Sequence, residues 1–182
     1  MKALSLCLSF LAVVVVGTLV GCSTTSTKSA DVSDNIRASL DKAGYKDVSV
    51  TQDRDKGVVT LGGHVAADGD KSQAESIARS IAGAQVVANQ IAVIPPGAES
   101  DAKTMNADLD KGIESNLHAA LIQAQLQDNV KFSVKNHVVT LTGAVDSQDK
   151  RARAQDVAAA VPNVQQVVNE LQVKGQKASS SN

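Results

Sequence analysis

Aromatic side chains are almost missing: tryptophan is absent, and one tyrosine and two phenylalanines are all that the 182 residues contain. That leaves little material for stacking on bases or sugars or for the Trp and Tyr belts that mark membrane interfaces. Cysteine is nearly as scarce, with Cys7 and Cys22 the only two. Cys7 falls in an apolar leader, so removal of that leader leaves no disulfide, metal-thiolate site or cysteine nucleophile to build from these positions. An excess of either charge is missing too. Loss of Lys2 leaves 17 basic residues against 19 acidic ones, and a chain so balanced has no global attraction to nucleic acid or anionic lipid. His64, His118 and His137 are scattered without repeating ligand spacing, and there is no nucleophile motif, phosphate loop or metal signature. Catalysis, a metal, a cofactor and a small-molecule substrate are therefore not expected.

What the chain does have is a repeat. The segment from Val58 to Val93 recurs from Val138 to Val173 without a gap at an offset of 80 residues, with 12 of its 36 positions identical. Composition alone would give roughly three or four matches. Val58, Val59, Thr60, Leu61, Gly63, Val65, Ala74, Ala78, Gln85, Val87, Asn89 and Val93 each return, and Ile77/Val157, Ile81/Val161 and Ile91/Leu171 keep apolar character.

Each copy reads as helix, strand, strand, helix, strand. Val32, Ile36 and Leu40 lie four apart, as do Leu109, Ile113, Leu117 and Leu121 in the second copy, giving a helical stripe. Val59, Leu61, Gly63 and Val65 alternate, and so do Val139, Leu141, Gly143 and Val145. Ala74, Ile77, Ala78 and Ile81, with Ala154, Val157, Ala158 and Val161, form one narrow helical face. Gly83 and Asn163 stand where the left-handed conformation ends a helix. The first hairpin, counted from Val50 to Val58, is four residues longer than its counterpart from Val134 to Val138.

The leader is a separate matter. Lys2 precedes a largely apolar run from Leu4 to Val20, which has the form of a signal peptide and is also long enough for an uncleaved membrane anchor. Its end, Leu19-Val20-Gly21-Cys22, resembles a bacterial lipobox. The resemblance implies cleavage before Cys22 and lipidation of its sulfur and amino group. Ser23 in place of an inner-membrane retention Asp points to the outer membrane, on its periplasmic face.

The expected organisation is a lipoprotein signal peptide over 1–21, a lipidated cysteine and polar tether over 22–30, a first module over 31–95, a polar linker over 96–106, a second module over 107–174 and a disordered tail over 175–182. Pro95-Pro96-Gly97 stops the first module's last strand.

A β-branched pair followed by Thr-Leu-x-Gly-x-Val, an Ala-rich helix and Val-x-Asn-x-[Ile/Leu]-x-Val resembles the BON domain in both copies. The resemblance implies an α+β fold in which each module is a three-stranded sheet with two helices on one face. It also implies a tandem BON lipoprotein of the osmotically inducible, phospholipid-binding kind, contacting phospholipid surfaces or envelope proteins and supporting envelope integrity under osmotic stress, without catalysis.

Several residues are candidates for more than scaffolding. Lys150, Arg151 and Arg153 form the densest basic cluster, at the start of the second copy's second helix, and suit phospholipid headgroups; a solvated face is the plainer alternative. Ile122 and Leu126 extend apolar character beyond the leucine stripe, as an exposed flank for a membrane interface or a partner would. Gly63 and Gly143 interrupt the apolar alternation and are expected where a helix packs closely on the strand or at a bulge. Asn89 and Asn169 sit on the apolar parity of the last strand, and their amides are expected to bond backbone at the turn entering it.

Overall fold

The β-branched, alternating stretches pair into sheets and the Ala- and Leu-striped stretches coil against them, twice over. A computed structural model describes residues 28–174. The proposed signal peptide, Cys22, the start of the tether and the tail lie outside the described residues. The first module consists of α1 (Ser33–Lys42), β1 (Val48–Asp53), β2 (Val58–Val65), α2 (Asp68–Ala82), β3 (Val86–Asn89) and β4 (Ala92–Val93). The second repeats the order with α3 (Glu99–Gln123), β5 (Val130–Lys135), β6 (Val138–Val145), α4 (Gln148–Ala159), β7 (Gln166–Asn169) and β8 (Gln172–Val173).

In each sheet the Val-rich strand is central. β1 runs antiparallel to β2, and β3 and β4 run parallel to it on the other side; β5, β6, β7 and β8 repeat this arrangement. The expected third strand is thus one strand broken at Gln90–Ile91, and at Glu170–Leu171 in the second module. Ile36 and Leu40 meet Ala74 and Ala78 above Val59, Leu61 and Ile91, with side chains of essentially no exposure. Ile113, Leu117 and Leu121 meet Ala154 and Ala158 above Val139, Leu141 and Leu171 in the same way. Both helices lie on one face, and the alanines bring them close to the sheet. Gly83 ends α2 at φ +64° but with ψ −121°, outside the left-handed helical well, and Asn163 (φ +67°) lies beyond α4, which stops at Ala159 with its cap at Ala160 because Pro162 disfavours helical backbone at the residue before it.

Three further details depart from the sequence reading. Asp53 pairs with Val58 and Lys135 with Val138, so the hairpins differ by two residues and not four. Val50 is the counterpart of Phe132 and not of Val134, since each faces the repeated leucine (Leu61 or Leu141). The polar segment expected as linker over 96–106 is helical from Glu99, because it holds no breaker after Gly97 and α3 extends back through it. Leu109, placed on the buried stripe, is 37% exposed. A four-residue spacing gains about 40° per step on a helix of 3.6 residues per turn, so Leu109 has rotated by about 120° from Leu121.

The modules pack on each other. Val58 and Ala88 from the first sheet and Val138 and Val168 from the second form a small buried cluster on the faces opposite the helices. The repeat relates the contacts as well: Lys56 Nζ donates to Glu170 Oε2 at 2.7 Å, and the equivalent Asn136 Nδ2 donates to the carbonyl of Gln90, the equivalent of Glu170, at 2.8 Å. The interface thus has approximate two-fold symmetry, which breaks at Gln166 among other places. The Gln166 amide donates to the Val87 carbonyl at 2.7 Å and accepts from the Asn89 N–H at 2.9 Å, closing the open edge of β3. Its counterpart Val86 is 47% exposed and has no group with which to close β7.

Candidate functional site

The basic cluster on α4 separates into three different environments. Ser147 caps the helix by accepting from the Lys150 N–H. Lys150 Nζ donates to Asp146 Oδ2 at 2.8 Å, which holds the Asp146 carboxyl below its usual range; Lys174 Nζ stands 3.8 Å from the same carboxylate. Arg151 turns inward. Its Nε donates to the Leu171 carbonyl at 2.9 Å and an Nη to the Asn169 carbonyl at 3.0 Å, so its guanidinium ties helix to strand at the β7–β8 break. Arg153 is exposed. Lys150, Arg153 and Lys174 are therefore the accessible cations here, and Arg151 serves the scaffold. Arg151→Ala is expected to lower stability by about 2 kcal/mol, the scale for hydrogen bonds from a charged group, read as a shift in urea midpoint.

The two apolar candidates also part. Ile122 is 47% exposed near the end of α3, whereas Leu126 is 4% exposed and belongs to the second core. The reason lies in the repeat: the Leu126 N–H donates to the Leu121 carbonyl as the Tyr45 N–H does to that of Leu40, so Leu126 fills the place of Tyr45 under the helix end. The reading of Leu126 as an exposed flank is corrected accordingly.

The repeated glycines and asparagines hold the frame. Gly63 (φ +86°) and Gly143 (φ +121°) lie at exposed ends of the central strands, where a Cβ would meet the carbonyl oxygens of Asp47 and Asn129. The crowding comes from chain entering β1 or β5 and not from a helix. Asn89 Nδ2 donates to the Lys71 carbonyl at 3.2 Å and to Glu75 Oε2 at 2.9 Å, while its Oδ1 accepts from the Ile91 N–H. Asn169 makes the equivalent bonds to Arg151, Gln155 and Leu171. The amides bond backbone as expected, but they bridge the strand break to the helix and not the turn entering the strand.

Sequence reasoning missed the attachment of residues 28–32. Ser29 exchanges two hydrogen bonds with Arg54, N–H to carbonyl at 2.9 Å and Arg54 Nε to the Ser29 carbonyl at 2.8 Å. Gln52 and Gln85 both donate to the Ala30 carbonyl, and Lys28 stands 3.4 Å from Asp55. The tether thus lies along the β1–β2 hairpin. Dispersed glutamines give no sequence signal for such a clamp.

Strand direction decides what lies near that hairpin. Lys56 reaches Glu170 while Asn136 reaches Gln90, so β3 and β7 run in opposite directions. The hairpin end of the first module therefore shares one end of the molecule with the start of α4, the end of α3 and Lys174. The opposite end carries the second hairpin, whose Asn136 and His137 N–H groups both donate to Asp110 at 2.8 Å.

Between the modules are two clefts of 140 and 170 Å³ that share Lys71 and Gln165. Lys71 Nζ donates to Gln165 Oε1 at 3.0 Å, and burial pushes the ammonium below its usual range against the pull of Asp68, Glu75 and Asp110. Lys56, by contrast, is raised by its bond to Glu170. These groups neutralise one another across the joint. Among the described residues no three His, Cys, Asp or Glu converge to hold a metal ion, and no helix is long and apolar enough to cross a membrane.

The profile of the BON domain matches residues 28–95 and again 109–175. The chain belongs to the BON family. Osmotically-inducible protein Y of Escherichia coli (strain K12) is 29% identical to this BON protein over 146 residues, which span 79% of this chain and 71% of the relative. Two solved structures of CdsD, a structural protein of the type III secretion system of Chlamydia trachomatis, also align. Each is 15% identical with a TM-score of 0.34; one match covers 77% of this chain and 90% of the solved chain, and the other, to the C-terminal domain, 81% and 99%. In the BON modules here most of the repeated residues build core, strand break and the crowded glycine positions of the central strands. Lys150, Arg153, Ile122 and the tether clamp each belong to one copy.

Proposed function

We propose that this protein is a non-catalytic outer-membrane lipoprotein, anchored through Cys22 on the periplasmic face, whose second BON module contacts anionic phospholipid. The observation that carries the reading is the shared end of the molecule. The tether leaves along the first hairpin, and Ile122, Lys150, Arg153 and Lys174 stand at that same end. A lipid attached at Cys22, six residues before Lys28, would therefore turn these side chains toward the bilayer. The likeness to osmotically-inducible protein Y supports a role in the envelope under osmotic stress.

Magnitudes assign the contact its job. Two lipid signals already anchor a protein stably, so the modules are not needed to hold it on the membrane. Tethering raises the effective concentration of a weak headgroup contact to about millimolar, enough for three cations and one isoleucine to set orientation and select anionic lipid.

Co-sedimentation of the mature chain, residues 22–182 carrying Cys22→Ala, with phosphatidylglycerol or cardiolipin vesicles tests the contact. Lys150→Gln with Arg153→Gln is expected to weaken binding roughly thirtyfold, from about 1 kcal/mol for each basic residue near an anionic surface. Ile122→Glu should weaken it further at unchanged stability. Binding no stronger than to phosphatidylcholine would reject the lipid contact. Palmitate labelling of the native sequence against Cys22→Ala tests the anchor separately.

A further inference from the structure

We propose that Met105 and Leu109 form a docking ridge on α3 for a basic amphipathic helix of a protein partner. The ridge lies where the repeat fails. α3 has 25 residues and α1 has 10, and the excess is at its start. Equivalence of Leu121 with Leu40 makes Ile113 the counterpart of Val32, so Glu99 to Gly112 has no equivalent in the first module. Such an addition is not required to complete the fold.

One side of the extension is used internally. Asn106 lines the cleft between modules, and Asp110 holds the second hairpin. The adjacent side presents Met105 at 65% exposure and Leu109 at 37%, one turn apart, above an open shelf of 550 Å³ that is bordered by Asp101, Thr104 and Asp108. An isolated exposed apolar side chain needs no explanation. Two in register on an added helix, with aspartates seven residues apart along their solvent-side border, form a pattern to which a partner can be matched.

Charge selects the occupant. Lys111 stands 3.3 Å from Asp108, whereas Asp101 has no ion pair among the described residues and accepts only from the Ser100 hydroxyl. A second copy is disfavoured, because antiparallel pairing sets the aspartate borders against each other and parallel pairing sets them against Glu99 and Asn106. An anionic bilayer is repelled by the same aspartates, and the ridge is at the end of the molecule opposite Lys150 and Lys174. A helix with leucines at one-turn spacing and lysine or arginine two turns apart satisfies both features. The proposal goes beyond the lipid contact and does not depend on it.

The test titrates the mature chain, residues 22–182 carrying Cys22→Ala, into a fluorescent synthetic helix with lysine-flanked leucines, and into its glutamate-flanked counterpart. The lysine peptide should bind more tightly, with about tenfold loss on Leu109→Glu. Asp101→Lys with Asp108→Lys should reverse the preference between peptides, an outcome that loss of folding cannot imitate; far-UV circular dichroism checks the helices. Absence of lysine-peptide binding, equal binding of both peptides, a Leu109-dependent dimer in sedimentation, or Leu109-dependent vesicle binding would each overturn it.

Discussion

Replacing Gly63 by alanine is expected to destabilise the first module by about 3 kcal/mol or more, combining a disfavoured backbone conformation with an enforced backbone shift. At φ +86° an L side chain is strained before any contact is considered, and here a Cβ would stand 1.9 Å from the Asp47 carbonyl oxygen. That oxygen belongs to the segment leading into β1 and accepts from the His64 N–H, so it cannot swing away as a flexible side chain could. Gly143→Ala meets the same obstacle in the second module, where the Asn129 oxygen would be 2.4 Å away at φ +121°. Gly112→Ala is the control of opposite sign: nothing approaches its added Cβ inside α3, and the change should stabilise by about 0.5 to 1 kcal/mol. Urea midpoints of the full chain provide the measurement. A Gly63→Ala protein within 1 kcal/mol of the native one would contradict this account of the glycine.

Val168→Asp is expected to separate the modules while leaving each folded. Val168 is 1% exposed against Val58, Ala88 and Val138, and an unpaired carboxylate in that cluster would cost several kcal/mol. The chain can avoid most of that cost. Val168 points away from the helices, so undocking returns the position to water without opening either helix-covered core. The penalty is therefore capped by the docking free energy. Helix content should persist in circular dichroism, the radius of gyration from small-angle scattering should rise, and unfolding should split into two transitions. An unchanged radius with a single cooperative transition would refute the role assigned to the cluster. Domains of this size are marginal alone, and two partly independent transitions would show how much stability the joint lends them.

The fold was largely legible because local signals agreed. Ile36 and Leu40, Val59 and Leu61, and Ala74 and Ala78 each show the period of their element, and the repeat displays every pattern twice. Gly83 marked the end of α2, but its counterpart Asn163 lies beyond a helix already stopped at Ala159, ahead of Pro162. The errors came where periodicity has no say. Leu126 continues the apolar character of α3 in sequence, yet the chain turns after Ala124 and drops the leucine into the core beside Val130. The basic cluster of α4 was visible as a cluster, but no spacing rule distinguishes Arg151, whose guanidinium meets two strand carbonyls, from its exposed neighbour Arg153. Asn89 was recognised as needing partners; which carbonyl would supply them depends on how α2 crosses the broken strand.

The sequence by itself determined the two modules, their order of elements and the residues that must face inward, because those follow from side-chain period and backbone preference within some dozens of residues. It also carried the family resemblance. Only the tertiary structure decided how the modules meet. Docking through Val58, Ala88, Val138 and Val168 depends on the outer faces of two sheets, where four apolar side chains leave no periodic mark, and on one glutamine whose counterpart is a valine. That joint turns β3 against β7, placing residues 28–32 at the same end as the start of α4 and the Met105–Leu109 ridge at the far end. Position on the molecule, which sets the Lys150–Arg153 end apart from the Met105–Leu109 end, arises from contacts between residues 46 and 114 positions apart, and a linear pattern holds no record of them.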